Sequence, residues 1–138
     1  MRFEGQVIKD GRYWAIEVPI LFVWTQGRTK NEAYEMIADA IESLVDKKGF
    51  KVKVFPGSEG HFELAANDTA TLVAFLLRRQ RKKHGLSLKE VAKRLGASSH
   101  NAYARYEQGS SVPTVEMLFR LLSAVSPDNN FVLHETGS

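Results

Sequence analysis

The stretch LSLKEVAKRLGASSHNAYARYEQG, Leu86 to Gly109, reads as two short helices joined by a tight turn and closed by a glycine. Ser87 is placed to cap the first helix. Glu90, three residues on, reaches back to complete a capping box just ahead of the apolar positions Val91, Ala92 and Leu95, and Gly96 ends the helix. The second helix starts at Ser98 or Ser99 and sets Tyr103 and Tyr106 on one side, leaving His100, Asn101, Ala104 and Arg105 on others. This is the layout of a helix-turn-helix, in which the second helix is laid into the DNA major groove.

From about Leu76 to Val125 the chain resembles the Xre/Cro-like helix-turn-helix family. The resemblance is carried by Arg81, by Gly85 with Leu86, by VAKRLG at Val91 to Gly96, by YARYEQG at Tyr103 to Gly109, and by Pro113 before a further helix. It implies that Arg81, on the helix before the motif, pairs with Glu107 behind the reading helix and fixes the angle between the two. Leu88 stands where many of that family carry a glutamine that touches phosphate. The interval from Gly96 to Gly109 is one residue longer than usual, so Ala97 to Ser99 carries an insertion.

The expected division of labour within the motif follows from side-chain chemistry. Asn101 and Arg105, four apart, point the same way; asparagine suits adenine and arginine suits guanine through paired hydrogen bonds. His100 and Ala104 complete the candidate base-reading set. Ser87, Lys89, Lys93, Arg94, Ser98, Ser99 and Tyr103 are the candidate phosphate contacts, which give affinity without sequence information. Tyr103 and Tyr106 are also read as packing residues.

Charge supports a polyanionic partner for this half. Residues 1–66 carry 9 Lys and Arg against 10 Asp and Glu, whereas residues 67–138 carry 10 against 6. Between Arg78 and Arg105 nine basic residues face a single acid, Glu90, the footprint of a surface laid on phosphates. Residues 67–138 are accordingly expected to bind duplex DNA by themselves.

The N-terminal part alternates with the period of strands. Phe3, Gly5 and Val7 share a face, Asp10-Gly11 signals a hairpin, and Trp14, Ile16 and Val18 share a face of the returning strand. Ile20 to Thr25 reads as a third extended run, nearly all apolar. Thr29 with Glu32 forms a second capping box, and Ala33, Met36, Ile37, Ala40, Ile41, Leu44 and Val45 recur at helical spacing. Phe50, Val52 and Val54 alternate as a fourth strand, and His61 to Ala65 is a possible short fifth. A boundary near Ala66 divides the chain into residues 1–66 and 67–138. The expected fold is an α+β N-terminal domain of order βββαβ, then an all-α helix-turn-helix domain of four helices with a short C-terminal strand at Phe131 to His134. That strand has no partner within a helical domain and is expected to pair with another copy.

YWAIEVP at Tyr13 to Pro19, Thr25-Gln26-Gly27, and TKNEA at Thr29 to Ala33 resemble the HicB family of antitoxins. Ile20 to Trp24 is more apolar than that family's short motif after the proline. The resemblance implies a partial RNase H-like domain that masks a HicA-like ribonuclease toxin, with the DNA-binding half repressing the operon. Phe22 and Trp24 are the candidate toxin-interface residues, because a large aromatic beside an apolar run is a common interface anchor.

At 138 residues, 43% apolar and 25% charged, the composition is that of an ordinary globular protein. No run is long enough to span a bilayer and the N-terminus lacks the apolar core of a signal peptide, so a cytoplasmic protein with no membrane partner is expected. The absence of cysteine excludes disulfides and thiolate metal sites. A nuclease of RNase H type needs carboxylates converging on metals. Glu4, Asp10, Glu17, Glu35 and Asp39 are available, yet Phe50 to Phe55 contributes only lysines. His61, His84, His100 and His134 show no metal-ligand spacing. No enzyme activity, catalytic residue, metal or cofactor is expected. The reading is a homodimeric or higher-order antitoxin whose partners are a duplex DNA operator and a HicA-like toxin. Its rivals are a regulator whose N-terminal domain binds a small effector, and an RNase H-like nuclease with a DNA-binding tail.

Overall fold

The computed structural model describes residues 1–96 and 100–137, with the side chain of His100 outside that description. β1 (Phe3–Asp10) turns through Gly11 and Arg12 into β2 (Tyr13–Val18), Asp10 lying opposite Tyr13. Gly11 sits at φ +61°, the left-handed conformation that two-residue hairpin turns require. β3 (Val23–Gly27), α1 (Lys30–Val45), β4 (Val52–Pro56) and β5 (His61–Ala66) complete an antiparallel sheet of order β3-β2-β1-β5-β4.

The N-terminal order is therefore βββαββ, one strand more than βββαβ, and the added strand is internal to the sheet, between β1 and β4. β5 takes that place because Phe62 and Leu64 alternate inward and are fully buried, and because Phe62 lies over the bare backbone of Gly5 directly opposite. A Cβ on Gly5 would meet the Phe62 ring and the Glu17 carbonyl, so the aromatic fills the space that the glycine leaves.

One face of the sheet is the core. Phe3, Val7, Ile16, Val18, Val23, Phe62 and Leu64 meet Ala33, Ile37 and Ile41, which recur every fourth residue along α1. Thr29 caps that helix by accepting from the Glu32 N–H at 3.0 Å, while the Glu32 carboxylate reaches the N–H of Arg28. The opposite face carries Glu4, Gln6, Ile8, Tyr13, Glu17, Trp24 and Gln26, and is largely open.

Ile20 to Thr25 is not one extended run. Pro19–Leu21 forms a 3-10 turn, Phe22 is left-handed at φ 53°, and β3 begins only at Val23. Pro19 starts the turn, Leu21 drives into the core, and the carbonyls that a strand would share with a neighbour are taken by a helix instead. Arg79 donates to the carbonyls of Leu21 and Phe22, and the Gln80 amide donates to that of Ile20.

That helix is α2 (Thr69–Lys83), capped by Asp68, whose carboxylate accepts from the backbone and hydroxyl of Thr71 and from Lys47. Thr71 to Leu77 are buried without interruption. A helix apolar all round is a core element. α2 packs on the Pro19–Leu21 turn and β5 on one flank, and on α4 (His100–Glu107) and α5 (Val115–Val125) on the other. With α3 (Leu88–Arg94) these make the four helices of the C-terminal part.

Phe131 to His134 forms no strand. The tail reaches the open sheet face instead at the β1–β5 pair, where His134 contacts Glu4 and Thr136 lies beside Glu63. Both contacts are made by side chains. β1 and β5 are already paired on both sides, so their backbones have no groups left for the tail to join.

Candidate DNA-binding surface

The position of α4 is set from behind. Arg81 on α2 meets the Glu107 carboxylate with two donors, Nε at 2.8 Å and Nη2 at 3.1 Å, in a nearly buried fork with side chains 15% and 6% exposed. The same guanidinium donates to the Leu86 carbonyl, and Arg78 donates to the backbone carbonyl of Glu107 at 2.7 Å. One arginine thus holds the end of α4 and the approach to α3 together. Gly109, at φ +73°, lets the chain leave α4 against the first turn of α2, where a Cβ would press on Thr71.

α3 enters through a complete capping box. Ser87 accepts from the Glu90 N–H at 3.1 Å while the Glu90 carboxylate accepts from the Ser87 N–H at 3.2 Å. Val91 and Ala92 face the core and Lys89 and Lys93 face solvent.

On α4 the exposed side chains are Asn101, Ala102 and Arg105, with Gln108 just beyond the helix. Asn101, Arg105 and Gln108 fall at i, i+4 and i+7 and share one face. Ala104 is half-buried at its border. Ala102 and Gln108 extend the set named from sequence, and the spacing of Gln108 from Asn101 and Arg105 was the signal that could have found it. Ser98 and Ser99, and the side chain of His100, lie outside the described residues.

Two of the candidate phosphate contacts belong elsewhere. Tyr103 is 1% exposed, and its phenol lies beside the Arg81–Glu107 pair, pushed well above its ordinary range first by burial and then by the Glu107 carboxylate. It packs the motif, with its hydroxyl buried. Arg94 is exposed, but its guanidinium is spent on the Ala124 carbonyl at the end of α5, while Arg120 returns the contact to the Leu95 carbonyl. Ser87 is exposed with its hydroxyl engaged in the cap.

The basic run therefore divides. Arg78, Arg79, Arg81 and Arg94 hold protein oxygens, whereas Lys82, Lys83, Lys89, Lys93 and Arg105 stand in solvent. The planar fork of arginine suits carbonyls and carboxylates, which is why the internal braces are all arginines and most of the solvent cations are lysines.

Residues 77–125 match the helix-turn-helix family. No curated protein matches the chain. The matched segment covers α3, α4, α5 and the C-terminal half of α2, and it is a DNA-binding helix-turn-helix of the kind found in transcription regulators.

In the N-terminal part, Phe22 is half-buried under the Lys83 ammonium, 5.4 Å from the ring centre, and belongs to the junction with α2. Trp24 is 74% exposed on β3. Of the carboxylates weighed for metal chemistry, Glu4 and Glu17 lie on the open sheet face, Asp10 at the hairpin, and Glu35 and Asp39 on α1. Among the described residues no three His, Asp or Glu side chains converge on a common point, and no helix is long and apolar enough to cross a membrane.

Proposed function

We propose that the chain is a repressor that reads an operator with α4 and also acts as the antitoxin of a HicA-like ribonuclease, masking it with the N-terminal sheet. The observation that carries the DNA half is the Asn101–Arg105–Gln108 face on a helix clamped by Arg81. Phosphate contacts come from Lys89 and Lys93, with Ser98 and Ser99 retained as candidates at the entry to α4. The antitoxin half rests on the HicB-like motifs around a sheet face that is left open and bears Trp24, Tyr13 and Ile8.

A two-armed experiment tests this. Arg105→Ala costs roughly 1–3 kcal/mol on the specific operator and blurs one base preference, whereas Lys89→Ala weakens all sequences alike. Gel shifts in which Arg105→Ala keeps full affinity and specificity remove the assignment. For the other arm, co-expression with the neighbouring gene's toxin restores growth. Failure to restore it leaves a transcription regulator without antitoxin activity; RNA cleavage by the purified chain that EDTA abolishes points to a nuclease.

A further inference from the structure

The two edges of the sheet are built differently. β4, at one edge, reads VKVFP and follows Lys51, so it carries a lysine within the strand and ends in proline. Charges and prolines of this kind keep an edge from pairing with another chain. β3, at the other edge, reads VWTQG, with no charge, no proline and the most exposed tryptophan of the chain at its second position. Among the described residues β3 is paired only with β2. Its start is held rigid by the grip of Arg79 on the Leu21 and Phe22 carbonyls.

An uncharged edge can pair with itself. In an antiparallel pairing centred on Thr25, Val23 faces Gly27 of the second copy and Trp24 faces Gln26, so no like charges meet. The register also sets the two Trp24 side chains on the same open face as diagonal neighbours, about 7–8 Å apart at the backbone and within reach of large aromatics. A two-fold interface requires such self-complementarity. The DNA-binding half adds a reason for a second copy, since helix-turn-helix proteins read two half-sites as dimers.

We propose that the free edge of β3 pairs with β3 of a second copy about a two-fold axis through Thr25, joining the two sheets and placing both tryptophans in one patch on the open face. The backbone supplies the pairing and the indoles lie above it. A partner that docks on this face meets residues of both copies.

The test uses the full-length protein alone, without toxin or operator, so its failure is separable from failure of the antitoxin reading. The chain has no cysteine, which makes introduced ones specific. A mixture of Trp24→Cys and Gln26→Cys chains forms a disulfide-linked heterodimer under mild oxidation roughly tenfold faster than either variant alone, because only the mixture sets two thiols opposite each other at high effective concentration. Sedimentation of the wild type gives a dimer. Trp24→Arg, which folds with its new charge beside Glu17, raises the dimer dissociation constant roughly tenfold or more. A wild-type monomer, equal cross-linking in mixed and unmixed samples, or a dimer indifferent to Trp24→Arg each overturns the proposal.

Discussion

Arg81 and Glu107 show how much one side-chain pair can decide. Their fork is nearly buried, so removing one partner leaves the other desolvated and uncompensated, a larger penalty than for an exposed ion pair. Arg81→Ala and Glu107→Ala are each expected to lower stability by more than about 1 kcal/mol, and the double variant by less than the sum. Denaturant melts give the three values; strictly additive costs show that the pair contributes nothing as a unit. The resemblance named both residues. It could not name the other internal arginines, because the acceptors of Arg78, Arg79 and Arg94 lie at least 29 residues away in sequence. Read along the chain, those three are indistinguishable from cations meant for phosphate.

At the scale of elements, local signals were legible and distant ones were not. Both capping boxes and the hairpin at Gly11 rest on interactions a few residues apart, and their sequence signatures are direct. The 3-10 turn at Pro19–Leu21 was hidden because an apolar run reads alike as strand or as buried turn until the donors from α2 are known. The place of β5 was hidden for a similar reason: strand order is a matter of long-range pairing. The Asp68 cap of α2 yields a prediction in acid. Hydrogen bonds from Thr71 and Lys47 hold its carboxyl down at about 2, below the value near 3.8 expected of the unfolded chain. A depressed carboxyl stabilises the fold fully above the unfolded value, and the contribution fades as pH falls from about 4 toward 2. Asp68→Asn retains a capping oxygen and removes the charge. Its stability curve is expected to lie about 1 kcal/mol below wild type at neutral pH, solvent screening included, and to converge with it near pH 2. Parallel curves in denaturant melts across that range refute the assignment.

For the whole molecule, α2 changes what the two halves are. Leu72, Val73 and Leu76 lie at helical spacing from Arg79 and Gln80, on the flank that faces the Pro19–Leu21 turn. Residues 67–138 cut free of the N-terminal part expose that flank. At about 1.5–3 kcal/mol per large apolar side chain, the loss approaches the whole stability of a small domain. The isolated fragment is expected to melt well below the full chain, or without a cooperative transition, and to bind DNA correspondingly weakly. A fragment melting at the full-length temperature shows that α2 needs no N-terminal cover.

The shared helix also bears on how such a protein could be recombined. Only Asn67 and Asp68 separate β5 from α2, and the grip of Arg79 and Gln80 on three consecutive carbonyls is specific to the turn they hold. Grafting this DNA reader onto a different N-terminal module at that junction would leave two long polar side chains and an apolar stripe without their counterparts. A transplant that works must bring its own turn, shaped to α2, or rewrite the helix as well.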